Sequence, residues 1–128
     1  AAHGEAFNCT TGRPFRWEEV WPKLAEWFEI EPIFEDQSFP VRPFFEDNSK
    51  LWNDLVHTHG LQEYELQSLS SDDFVDRAMA MNWEAIYSME KARAAGFPLG
   101  NEPARVFIDL FDHLVDARVI PNPRQKIE

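Results

Sequence analysis

The sequence predicts a mainly α fold of the α+β class, with four to five helices and one or two short strands. Three observations predict it. Apolar residues recur at spacings of three and four in several separate stretches, which places them on one helical face each. Those stretches are bounded by Ser, Asp or Asn on entry and by Gly on exit. Only one short stretch, near the N-terminus, reads as extended. With 128 residues, 44% of them apolar and 14% aromatic, the chain is one domain's worth of polypeptide and buries about two-thirds of the surface its unfolded form exposes.

The extended candidate is Glu5 to Thr10, broken by Gly12 and Pro14. From Trp17 to Phe28 the residues Trp17, Val20, Trp21, Leu24, Ala25, Trp27 and Phe28 share one helical face. Glu18 and Glu19 suit the first turn, where the helix dipole favours acid. Pro22 removes a backbone donor and is expected to kink this helix or confine it to a tight first turn. From Glu31 to Phe45 no period fits, and Pro32, Pro40 and Pro43 interleave with Phe and Ile, so the segment reads as a long aromatic loop. A second helix follows from about Ser49 to His59, with Asp47, Asn48 and Ser49 as candidate N-caps and Gly60 as a left-handed stop. A third starts near Ser70, where Ser70-Ser71-Asp72-Asp73 resembles a capping box. Its face carries Phe74, Ala78 and Met81, with Val75 and Met79 beside them. Ser88 to Ala95 reads as a short helix capped by Ser88 and closed by Gly96. The last helix starts near Asn101, with Pro103 in its first turn, and ends before Pro121. Residues Asn122 to Glu128 read as a frayed tail.

Lys and Arg number 12 against 23 Asp and Glu, a formal charge of -11. Such a field repels phosphate backbones and weighs against nucleic acid or an anionic membrane as partner. No apolar run approaches the roughly 20 residues needed to span a bilayer. Cys9 is the single cysteine, so no internal disulfide or cysteine zinc site is expected, and a cytoplasmic setting is the default. There Asn8-Cys9-Thr10, a glycosylation acceptor by pattern, carries no meaning. The opening Ala1-Ala2-His3-Gly4 lacks an initiator Met and points to a piece of a longer protein.

Several residues invite a chemical reading. Tyr87 and Lys91 are four apart; the plain reading is an interior Tyr beside a solvated Lys, whereas in short-chain dehydrogenases this spacing lets the Lys lower the Tyr pKa. That chemistry needs a nucleotide cofactor, and the 5 Gly are scattered rather than gathered in a turn. His57 and His59 are two apart and face away from each other on a helix, so no metal site is expected. Asp109 and His113 are placed for a plain surface contact. Cys9 is expected to be a buried, inert thiol. Glu26, Glu29, Glu31, Glu35 and Asp36 read as a solvated face. Eighteen aromatic side chains, 11 Phe, 5 Trp and 2 Tyr, exceed the needs of a small helical core and suggest a pocket or an interface. The Phe content of Ile33 to Phe45 makes a homodimer a further expectation.

The motifs taken in order resemble one family, the progesterone 5β-reductase / iridoid synthase-like branch of the extended short-chain dehydrogenases/reductases. The resemblance rests on Glu5-Ala6-Phe7-Asn8-Cys9, then Phe15-Arg16-Trp17-Glu18-Glu19-Val20-Trp21 and Leu24-Ala25. It continues through Trp52 to Gly60-Leu61, Phe74-Val75-Asp76, Ser88-Met89-Glu90-Lys91 with Gly96-Phe97, and Ile120-Pro121. It implies that residues 1–121 are the C-terminal substrate-binding lobe of a Rossmann-type reductase without its Rossmann half, followed by the tail 122–128. It implies NADPH or NADH as cofactor of the parent protein and none in this chain. It also implies a parent that adds hydride to a C=C bond conjugated to a carbonyl, on a small apolar carbonyl substrate. A catalytic Tyr in the missing half would stabilise the developing enolate. An epimerase or dehydratase-like parent is a variant of the same reading.

By the same resemblance Phe74 lines the substrate pocket, and helical spacing adds Ala78 and Met81 to that wall. No catalytic, cofactor-binding or metal-ligating residue is assigned to this chain, which alone is expected to be inactive. The plant pattern has two Trp before the pocket Phe; Asp72 and Asp73 stand there here, which weighs against the plant steroid and monoterpene substrates. The rival reading is a non-enzymatic, acidic helical module that binds another protein.

Overall fold

The computed structural model describes residues 3–34, 40–69, 71–81, 83–98 and 100–125; for Asp72 and Met79 it describes the backbone alone. Among these residues are five α-helices: α1 (Trp17–Trp27), α2 (Val41–His59), α3 (Asp72–Met79), α4 (Glu90–Ala94) and α5 (Pro103–Asp116), with a short 3-10 turn at Leu66–Ser68. The mainly helical reading holds. No strand is formed among the described residues, so the expected strand at Glu5 to Thr10 is corrected. No neighbouring strand offers it a ladder, and side-chain hydrogen bonds hold the segment in place instead. Lys91 Nζ donates to Ala6 O at 2.9 Å, and Asn8 Nδ2 donates to Ser88 O at 3.0 Å.

The chain divides into two compact units, Ala1–Pro32 with Glu84–Leu110, and Ile33–Trp83 with Phe111–Glu128. In the first unit the core is Val20, Leu24, Ala25 and Trp27 of α1, Met89 and Ala92 at α4, and Pro103 and Ala104 at the start of α5. The α1 residues are the face predicted by spacing, and each large apolar side chain buried there contributes about 1.5–3 kcal/mol. α1 runs through Pro22 without a break. Phe15, Trp17 and Phe107 form a ring cluster with centroids 5.5–6.3 Å apart, tying the start of α1 to α5. The N-terminal strap is fastened on α4. Lys91 Nζ lies 2.7 Å from Glu5 Oε2 and 4.9 Å above the Phe7 ring, and Phe7 packs on Phe97 at 5.6 Å. Further on, Gly100 N–H donates to Thr11 O at 3.2 Å; a Cβ at Gly100 would lie 2.9 Å from Thr11 Cα, so only Gly permits this approach.

In the second unit α2 packs against α3 and the 3-10 turn. The reading of residues 31 to 45 as loop is corrected from Val41 onward, because α2 begins there rather than near Ser49. Pro43 is its third residue, inside the first turn, where the backbone donors have no intrahelical acceptor to lose. Asn48 and Ser49 are therefore interior residues and not caps. Asn48 Nδ2 donates to Phe44 O at 2.8 Å and Ser49 Oγ to Glu46 O at 2.5 Å. The side chains of Glu35, Asp36 and Ser70 lie outside the described residues. Gln62 joins the end of α5, its N–H donating to Arg118 O at 2.8 Å and its Nε2 to Ala117 O at 2.6 Å. Pro121 to Pro123 are half-buried.

Four of the helices close the same way. An amide five residues beyond its acceptor wraps back after one residue in the left-handed region: Ile30 to Ala25, Leu61 to Val56, Phe97 to Ala92 and Val119 to Leu114. The left-handed residues are Glu29, Gly60, Gly96 and Arg118, with φ of 56°, 59°, 92° and 55°.

Candidate functional site

α3 and the residue pair beyond it carry the three residues assigned to the substrate wall. Its first turn is closed by Phe74 and Val75 N–H groups donating to Ser71 O, both at 3.0 Å, while the Ser71 side chain makes no cap. Phe74, Ala78 and Met81 follow at helical spacing. Phe74 is 65% exposed, Met81 45% exposed and Ala78 half-buried. Neither of two surface grooves in this unit, of about 270 and 420 Å³, is lined by any of the three.

A second feature of α3 lies outside the sequence reading. Asp76 Oδ1 accepts the N–H of Val41 at 2.9 Å, and Asp73 Oδ1 lies 2.8 Å from Arg42 Nη2. α2 has no acid in its own first turn. The half-buried Asp76 of the neighbouring helix supplies the anion that a helix start favours. The aspartate of the Phe74-Val75-Asp76 element is thus a cap in trans for α2, and it fixes the helix that carries Phe74. The only sequence signal for this is negative, a helix start without its own Ser, Asp or Thr cap.

The other candidates are placed as follows. Tyr87 precedes α4 and is exposed, while Lys91 is engaged with Glu5, Ala6 and Phe7; the structure does not make them a pair. His57 and His59 sit in the last turn of α2, where a cation is favoured. Asp109 Oδ1 lies 2.7 Å from Arg105 Nη2. Cys9 is exposed, which corrects its expected burial. With no sheet to impose an inward face, Phe7 is the residue of this strap that turns in. Glu26, Glu29 and Glu31 are exposed, as a solvated face requires. No group of His, Cys, Asp or Glu among the described residues could hold a metal ion. No helix among them is long and apolar enough to cross a membrane.

A further charged contact lies at the entry to α5. Glu102 Oε1 accepts from Lys23 Nζ at 3.1 Å, and Glu102 Oε2 accepts the Arg105 N–H at 3.1 Å. The hydrogen bond from Lys23, helped by the backbone amides, holds the Glu102 carboxyl below its ordinary value of 4.5.

A dinucleotide does not fit the residues described. Its pyrophosphate would need a Gly-rich turn opening onto a helix start. α1 instead begins with Glu18 and Glu19, the start of α2 is filled by Asp76, and that of α5 by Glu102.

Comparison with known proteins places this arrangement in a class. The chain is 28% identical over 94% of its length to the (S)-8-oxocitronellyl enol synthase of Catharanthus roseus. It is 29% identical, again over 94%, to the 3-oxo-Δ4,5-steroid 5β-reductase of Arabidopsis thaliana. A short-chain dehydrogenase of Penicillium aethiopicum matches at 28% over 91% of the chain. No family model matches. The chain is a relative of short-chain dehydrogenases/reductases. Within that class it is homologous to the progesterone 5β-reductase / iridoid synthase-like branch, as its motifs indicate. It spans 31% of the length of the first two relatives and 35% of the third.

Proposed function

We propose that this chain is the substrate-binding lobe of a longer, cytoplasmic NAD(P)H-dependent reductase of this class. The observation that carries the reading is the match of nearly the whole chain, in order, to about a third of each relative. The names of the relatives supply the substrate chemistry. One acts on a 3-oxo steroid unsaturated at the 4,5 bond, another forms an 8-oxocitronellyl enol. Both involve a carbonyl and its conjugated carbon framework, which suits a small apolar carbonyl substrate for the parent. A nicotinamide cofactor, held by the remainder of the protein, would supply hydride. The residues of this chain contribute the apolar cover. Phe74, Ala78 and Met81 would lie against the substrate, orient it and keep water from the reacting carbons.

The clasp of Asp76 on Val41 and of Arg42 on Asp73 would hold that wall in place. Asp73 supports a substrate differing from those of the plant relatives, since a charge paired with Arg42 occupies ground that an apolar side chain would hold. A non-enzymatic interaction module that borrowed this lobe from a reductase would use the same exposed apolar side chains to hold another protein.

The test has two parts. Calorimetric titration of the isolated chain with NADPH is expected to give no heat of binding; micromolar affinity would overturn the proposal. Sequencing the DNA upstream of the codon for Ala1 is expected to reveal, in frame, a Gly-rich strand–turn–helix fingerprint. A stop codon followed closely by an initiator Met would favour the module.

A further inference from the structure

The larger surface groove lies along α2 in the second unit and has a volume of about 420 Å³. Its apolar lining includes Trp52, Val56, Tyr64 and Leu66. Trp52 is pinned, its Nε1–H donating to Tyr64 O at 2.8 Å, so the indole is a fixed wall. Its charged lining consists of Glu63 and Glu65, with His57 as the one base and no Lys or Arg. Neither carboxylate has an ion-pair partner among the described residues. Lys50, on the same helix, is bound to Asp54 at 2.7 Å. The carboxyl end of α2 adds partial negative charge at one end of the groove.

From Ser49 to His57 the groove follows α2 for about 12 Å at 1.5 Å per residue. That length matches three or four residues of extended peptide. Unpaired acid beside an anchored indole and a second aromatic ring is the environment in which a cationic side chain is bound by charge and ring face together.

We propose that this groove receives a Lys- or Arg-bearing peptide segment of a partner protein. The cation sits between Glu63 and Glu65 against the rings of Trp52 and Tyr64, and its aliphatic stem rests on Val56 and Leu66. The groove shares no residue with the α3 face, so the proposal stands apart from the reductase reading.

The test titrates the chain with an acetylated, amidated Ala-Arg-Leu-Lys-Ala peptide, read by amide chemical shifts and calorimetry. Saturable binding with shifts concentrated between residues 49 and 67 is expected. E63Q/E65Q is expected to weaken it about three- to tenfold, the scale of two exposed charge contacts. The charge-matched control E18Q/E19Q, on α1, is expected to change it by less than about twofold, as a distant pair of charges should. Equal weakening by both double variants, shifts scattered over the acidic surface, or no saturation would overturn the proposal. So would arginine amide alone binding as tightly as the peptide, which would make this a small-amine site.

Discussion

At the scale of single residues, four positions share one backbone state and differ in what it costs them. Gly60 and Gly96 occupy the left-handed region freely, whereas Glu29 and Arg118 carry a Cβ there, at about 1 kcal/mol each. A Cβ at Gly60 would meet nothing within 4 Å. Gly60→Ala should therefore lose about 1 kcal/mol from conformation alone, and Arg118→Gly should gain stability of similar size. Urea denaturation of the two variants checks both signs; equal effects would rule out the shared closing motif. Gly60 and Gly96 were legible as stops because Gly announces such a site. Glu29 and Arg118 were not, since nothing in a charged residue signals a left-handed backbone.

Glu102 gives a residue-scale dependence on pH. Its carboxyl is held below 4.5 by Lys23 and by the first amides of α5. A lowered folded-state pKa stabilises above the unfolded value and is lost as pH falls through the folded one. The melting temperature of the wild type should exceed that of Glu102→Gln near neutrality. The gap should close on acidification below 4.5. A gap that widens in acid would contradict this assignment.

At the scale of elements, α2 and α3 explain both what the sequence conveyed and what it hid. The helix α1 and its buried face were readable from apolar spacing, as were the helices α3 and α5, though Phe74 of α3 and Val106 and Leu110 of α5 prove to be exposed. The first half of α2 was not, because three prolines between Glu31 and Phe45 imitate a loop. Pro43 is harmless only once the helix is known to start at Val41. The start of α2 was hidden further by its cap, which comes from Asp76, 35 residues away. Short-range motifs cannot display such a partner. Phe74, Ala78 and Met81 were assigned to one face by spacing and resemblance, but spacing alone does not say whether a face is covered, and Phe74 proves to be exposed. Asp76→Ala should cost about 1 kcal/mol, the scale of a lost N-cap, with Asp76→Asn retaining much of it. Thermal unfolding followed by circular dichroism measures both; an unchanged Asp76→Ala would refute the cap.

At the scale of the whole molecule, apolar surface is left uncovered in each unit. In the second, Ile33, Phe34 and Phe44 are 70%, 63% and 49% exposed. Exposed patches of this kind mark interaction sites. The isolated chain should self-associate as its concentration rises, and Phe44→Ser should move it toward monomer. Sedimentation velocity over a concentration series decides; a monomer throughout would exclude this contact as a dimer seam.

The carboxylate that α3 lends to α2 has one more consequence. The start of α2 is not sealed without Asp76 of α3, so opening α3 should open the head of α2 with it. Deuterium uptake by the backbone amides at the head of α2 should then rise and fall in step with that of α3, and trypsin should find Arg77, within α3, in the same opening event.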